Sequence, residues 1–477
     1  MERTLALASN DDLLVLVVSW QDTSDASSSS SYESFDGEGV TFELRRGNEI
    51  RYSCNFPARE FGMPSDSVPL DAVHSGADFR FPQVLAGLLR QALEHEAADD
   101  PVWLYVAEES GWLVAFPWER LLVPALQRAI WRLPFRSIEP KHGVNPLDFV
   151  VCGSSPARKE SLPLDGVVAL MAENLLRIHP GSIRVHVFAD LWAYDSTCAR
   201  LDPLNAGTSE RGAIVYDPRK ANAPKRSERR HSGESPYRSV TNPWLEWIKS
   251  SLGGTSADAI HFYCHSRTNL DKGALAFAGT PLGDSSQSWP LFVGAKQLTR
   301  FAVACGFWSV GITSPQNDYA PIAARLLANE IARQRPGYTY LHEQSQDTEL
   351  KVLWKLWEFL FRQASELQSS RALTLYCAPQ SLRSHGASRG AVAASTAPPP
   401  TATRSDSAPG WIVASQRYLE QQYSELTQPA AGSEESLSAD DATAEGVRFA
   451  EKLVRDFVAK QNVVWKQSDE TWDFFDF

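Results

Sequence analysis

The sequence predicts an α/β protein built on a mainly parallel central sheet, with an α+β lobe before it and helices after it. Three observations carry that expectation. Short apolar runs such as Ala259-Ile260-His261-Phe262-Tyr263-Cys264 alternate with segments of helical period, the pattern of βα units. Several of these runs stop abruptly at polar residues or proline, as buried strands do when they reach a sheet edge. The chain has 477 residues, 43% hydrophobic and 22% charged, which is globular composition and length enough for two or three domains.

Residues 1–100 read as an N-terminal α+β lobe. Leu13 to Trp20 is a buried strand, and Val40 to Leu44 with Ile50 to Cys54 makes a hairpin across Arg46-Gly47-Asn48. The five serines from Ser27 to Ser31 between them form a flexible loop. After Pro82, Val84, Leu85, Leu88, Leu89 and Leu93 line one face of a helix.

Residues 101–380 read as the main domain. Val102 to Val106 and Trp112 to Val114 are taken as a hairpin leading into Pro117-Trp118-Glu119, where Trp118 is a core aromatic and Glu119 caps or pairs locally. Leu147 to Ser154 is the first core strand, with a helix through Glu173, and Ile183 to Ala189 is the second. His186 lies inside that alternation and is taken as structural. Residues 195–240 hold Lys220, Lys225, Arg226, Arg229, Arg230 and His231 among serines and prolines, a solvated insertion. A helix from Pro243 to Lys249 then feeds the strand that ends at His265, at the carboxyl edge where α/β sheets collect reacting groups.

Leu275 to Ala278 is a second short run, followed by a helix from about Ala295 to Ala304. Phe307 to Pro315 is a strand stopped by proline, and Pro321 opens a helix to Arg333. His342 and Glu343 form a secondary acid/base pair, with a satisfied surface pair as the other account. Leu350 to Leu367 is an amphipathic helix, and Ala372 to Cys377 one more strand.

Taken together, the histidine strand, the Leu147 strand and helix, and Leu113-Val114-Ala115-Phe116-Pro117-Trp118-Glu119 resemble the CHAT family of caspase-like domains over roughly residues 100 to 345. The resemblance implies a caspase-like three-layer sandwich and a cysteine peptidase with His265 at the family's histidine. It also implies a protein substrate or partner protein within a bacterial signalling or defence system. Two positions depart from the pattern. Ser266 stands where the family has glycine after its histidine, and the family's cysteine position has two candidates, Cys305 and Ser314.

The choice decides the chemistry. A cysteine attacks a carbonyl as thiolate, which an adjacent histidine populates near neutral pH. A serine hydroxyl is a weaker nucleophile and needs an aligned base, commonly oriented by a third group. With Cys305 in the slot the chain hydrolyses peptide bonds. With Ser314 there it is a pseudoenzyme that works as a protein-binding regulator or scaffold.

Residues 381–410, including Pro398-Pro399-Pro400, form a linker, and residues 411–477 supply two helices and a tail. The tail, Trp465 to Phe477, alternates acidic and aromatic residues and is either tucked into a groove or a docking peptide. A net charge of −12 disfavours nucleic acid as a partner. No apolar run reaches the length of a membrane span, and the opening residues lack a signal peptide's pattern, so the expected location is cytoplasmic. The six cysteines form no CxxC pair, and the sequence has no phosphate-binding glycine loop and no metal-spaced cluster. No cofactor is expected.

Overall fold

The computed structural model describes residues 12–21, 39–64, 70, 79–135, 146–156, 162–179, 181–205, 211–221, 242–269, 272–282, 290–318, 320–362 and 367–379. All of these belong to the first of two compact units, Met1–Arg404. The serine run, the insertion from 222 to 241, the linker, the two C-terminal helices and the acidic-aromatic tail lie outside the described residues.

In chain order the elements are β1 (Leu14–Trp20), β2 (Gly39–Arg46), β3 (Glu49–Pro57), α1 (Gln83–Ala92), β4 (Val102–Val106), α2 (Trp112–Ala115), α3 (Trp118–Leu126) and β5 (Ile130–Arg132). Next come β6 (Leu147–Ser154), α4 (Leu164–Ile178), β7 (Ile183–Ala189), α5 (Leu191–Leu201), β8 (Arg211–Val215), α6 (Pro243–Ser251) and β9 (Ala259–Asn269). The remainder are β10 (Lys272–Phe277), β11 (Leu291–Gly294), α7 (Ala295–Cys305), β12 (Ser309–Ser314), α8 (Pro321–Gln334), β13 (Tyr338–Glu343), α9 (Lys351–Arg362) and β14 (Leu373–Tyr376).

The strands form one 14-stranded mixed sheet, mostly parallel, ordered β3-β2-β1-β4-β5-β14-β13-β12-β9-β6-β7-β8, with β10 and β11 branching from β9. From β6 the chain steps outward to β7 and β8, then returns beside β6 as β9 and steps the other way to β12 and β13. The fold is therefore α/β and doubly wound, with its switch point between β6 and β9, where such sheets open a crevice at the carboxyl ends. All eight residues of β6 are buried, which explains why this strand reads as a continuous apolar run rather than an alternation.

Helices cover both faces. One apolar layer joins the sheet to α4 and α9 through Val168, Leu175, Leu353 and Trp357. On the other face Trp244, Ile248, Phe301 and Leu327 pack α6, α7 and α8 against Val150, Phe262 and Ile312. A third layer, around Phe42, Phe61 and Trp118, buries α1, α2 and α3 and includes Ile322 and Leu326 of α8.

Among the described residues, the strands before residue 100 do not form a sheet of their own. β1 runs parallel to β4, β4 to β5, and β5 meets β14 through Arg132 and Tyr376, so the lobe's strands continue the main sheet. Trp112 to Val114 also departs from the expected hairpin. Gly111, at φ 86°, turns the chain into a single helical turn in which all four residues are buried. Apolar runs this short do not distinguish strand from helix, and burial in the third layer decides. Within the supposed insertion, α5 and β8 are regular elements.

Candidate functional site

β9 places His265 just past the edge of the parallel sheet. Its pairing with β12 ends at Tyr263 and Thr313, and its pairing with β6 ends at Cys264 and Ser154. The strand does not stop at His265 as expected. It runs on to Asn269 because β10 folds back antiparallel, pairing Ala276 with His265 and Leu275 with Ser266. The hairpin backbone lies so close to α8 that a Cβ on Gly273 would collide with the Ala323 carbonyl.

β12, the neighbouring parallel strand, ends at Ser314. Between it and α8 lies a turn in which the Asp318 amide donates to the Pro315 carbonyl at 3.1 Å. The turn delivers the Asp318 carboxylate between the two strand ends. There Oδ2 accepts from Ser314 Oγ at 2.7 Å and from Ser266 Oγ at 2.6 Å, and Oδ1 accepts from the Ser266 amide at 2.9 Å. The Ser266 hydroxyl also lies 2.8 Å from the Ala320 carbonyl. His265 Nδ1 stands 3.7 Å from Asp318 Oδ1, beyond hydrogen-bond length. The residues are 1% (His265), 1% (Ser266), 3% (Ser314) and 7% (Asp318) exposed, so the cluster is sealed in this conformation.

Ser266, which stands where the resemblance would have glycine, thus plays a structural part, because its amide and hydroxyl bind the carboxylate that also holds Ser314. Asp318 is the site residue that sequence reasoning passed over. The available signal was an acid in a short Pro-Gln-Asn-Asp turn directly after a candidate strand end.

Cys305 does not meet His265. It closes α7, and its carbonyl accepts from the amide of Ala257, before β9 begins. At about 3.3 Å per residue the path along β9 from there to His265 is roughly 25 Å. The thiol is buried, and that burial pushes its pKa up to about 12, slightly offset by Lys249. Burial likewise raises the thiols of Cys152, Cys264 and Cys377. None of these has the depressed pKa of a nucleophilic cysteine.

Other polar groups collect at the same edge. Asp190, at the end of β7, accepts from the Ser155 amide at 2.7 Å and from Ser154 Oγ at 3.2 Å. Burial outweighs these bonds and raises its carboxyl to about 7. His342 and Glu343 prove to be buried and bound to different partners: Glu343 accepts from Arg325 at 2.7 Å, and His342 joins a chain of hydrogen bonds through the core.

That chain has a direction. Trp357 Nε1 can only donate, and it donates to Tyr340 OH at 2.8 Å. The phenol therefore gives its proton to His261 Nδ1 at 3.1 Å, which leaves His261 Nε2–H to donate to Thr313 Oγ1 at 2.8 Å. Thr313 then donates to His342 Nδ1 at 3.2 Å, and His342 Nε2–H to Asp347 at 3.1 Å. Asp347 also accepts from the amides of Lys351 and Val352 at the start of α9. Burial, reinforced by His342, holds the His261 pKa well below its ordinary value, in keeping with the neutral tautomer this order requires.

At the opposite end of the sheet, His186 is structural, as its position implies. Asp148 accepts from Arg184 at 2.6 and 2.7 Å and from His186 Nε2 at 3.2 Å. Burial would raise the Asp148 carboxyl, but these two partners outweigh it and bring it to about 2. Glu119 accepts from its own amide in the first turn of α3, but its main partners lie across the core. It is buried against Arg132 and accepts from Thr374 Oγ1 at 2.9 Å, and Arg132 outweighs burial to lower its pKa.

Among the described residues no group of three or more His, Cys, Asp or Glu side chains could hold a metal ion, and no helix is long and apolar enough to cross a membrane. Compared with known proteins, the chain matches no family model, no curated protein and no solved structure.

Proposed function

We propose that this chain is a CHAT-like module of caspase-like layout that works by binding a protein partner, without cysteine-type peptide hydrolysis. One observation carries the reading: the side chain at the end of β12, beside the His265 edge, is a serine already donating to Asp318, while the Cys305 thiol belongs to the far end of the sheet. The doubly wound sheet, and the place where the parallel pairing of β9 ends just before His265 beside the end of β12 at Ser314, support the caspase-like layout. The implied partner is a protein of a bacterial signalling or defence system.

The test is a thiol-directed peptidyl ketone applied to the native chain, with adducts mapped by peptide mass spectrometry. No adduct is expected at Cys305 while the fold is intact. An adduct there that disappears in His265→Ala would overturn the proposal. Co-purification of the native partner is expected to survive His265→Ala, and its loss in a folded variant would count against partner binding that is independent of the His265 edge.

A further inference from the structure

Going beyond the binding reading, which excludes only cysteine chemistry, we propose that Ser314, His265 and Asp318 form a serine-type acyl-transfer triad closed by one hydrogen bond. In such a triad a carboxylate addresses Nδ1 of the imidazole, and Nε2 takes the proton of the serine. The ring nitrogen facing Asp318 is Nδ1, 3.7 Å from Oδ1, so the imidazole already presents the correct edge to the acid. What differs from a working triad is Ser314, whose hydroxyl donates to Asp318 Oδ2.

That bond is the dispensable one. With Ser314 turned away, the carboxylate keeps the Ser266 amide on Oδ1 and the Ser266 hydroxyl on Oδ2, so it is neither left bare nor set free to move. Carboxylate, imidazole and hydroxyl come from three adjoining segments, β9, the end of β12 and the turn before α8. The turn is the element available to open: Gln316 and Asn317 at its tip are exposed, while Ser314 and Asp318 beneath it are buried. The triad requires that displacement of this tip and rotation of Ser314 about χ1 bring the hydroxyl to His265 Nε2 and admit a substrate.

The substrates are carboxylic esters and amides. Ser314 Oγ forms a bond to the acyl carbon as its proton passes to His265 Nε2, and the carbonyl π pair moves onto oxygen. Collapse expels the alcohol or amine, which takes the proton from His265. Water then hydrolyses the acyl-serine by the same steps, releasing the acid and restoring the hydroxyl.

The test uses the full-length chain and an alkyl fluorophosphonate, which reads only the first half of the cycle. The Ser314 oxygen–phosphorus bond forms, the phosphorus–fluorine bond breaks and fluoride leaves. The expected result is a single adduct mapped to Ser314, abolished in Ser314→Ala and slowed about 100-fold or more in His265→Gln, the share a general base contributes. Asp318→Asn separates positioning from simple locking. It releases the serine, so a carboxylate that only locks would make labelling faster, whereas a triad carboxylate makes it slower.

Failure of labelling over a day, an adduct elsewhere, equal rates in His265→Gln, or acceleration in Asp318→Asn would each overturn the triad. Far-UV circular dichroism establishes that each variant is folded. Should Asp318→Asn not fold, Asp318→Glu serves, with labelling retained at a reduced rate expected and acceleration again refuting. The peptidyl ketone assay reads Cys305 and this one reads Ser314, so the two proposals fail separately.

Discussion

Replacing Tyr340 by phenylalanine interrupts the directed hydrogen-bond chain at its second link while keeping the ring that stacks on His261. Two groups lose their partners. The Trp357 indole N–H is left buried without its acceptor, which costs about 1–3 kcal/mol, and His261 Nδ1 loses its donor, about 1 kcal/mol more. Tyr340→Phe should therefore lower the unfolding free energy by about 2–4 kcal/mol. Thr313→Val interrupts the same chain two links further on, at the bonds to His261 and His342, and should cost a similar amount. Because a broken chain cannot be broken fully a second time, the double variant should lose less than the sum of the two. Urea unfolding followed by far-UV circular dichroism, with the denaturant slope unchanged, measures all three. A Tyr340→Phe cost below about 0.5 kcal/mol, or strict additivity with Thr313→Val, would refute the directed order.

Three further outcomes follow from buried groups. Glu119→Gln leaves the Arg132 guanidinium buried without a counter-charge and should cost about 3–5 kcal/mol in the same urea assay. Gly273→Ala forces the β10 backbone away from the Ala323 carbonyl of α8 and should cost about 1–3 kcal/mol or more, seen as a lower melting temperature. Asp190 has a folded pKa of about 7 against 3.8 unfolded, so its contribution is fully present below pH 3.8 and is lost as pH rises through 7. The stability of Asp190→Asn relative to the parent should therefore improve as pH rises from about 4 to about 7 and then level off. His261, whose depressed pKa acts in the opposite sense, cancels in that comparison.

Much of the sheet was legible because its central strands are buried on both faces: β6, β7, β9 and β12 all read as apolar runs, and the edge position of His265 followed from where one run ends. Three-residue β5, the short β11 strand and the half-exposed edge strand β8 left no comparable signal. Cys305 stayed open as one of two candidates because its separation from His265 carries no direction. A helix feeding a parallel strand ends at the amino edge of the sheet, and Gly306, at φ 78°, turns the chain there into β12. Asp318 was invisible to periodicity because it lies in a turn, and only the fold brings it to Ser314 and Ser266.

The unbroken ladder from β3 to β8 also bears on how this molecule can be divided. Severing the chain at residue 100 would strip β1 from β4 and bare a row of unpaired amides and carbonyls, flanked by Trp103 and Tyr105, whose own covering would go as well. A fragment beginning at residue 101 should therefore self-associate on sizing chromatography rather than behave as an autonomous module.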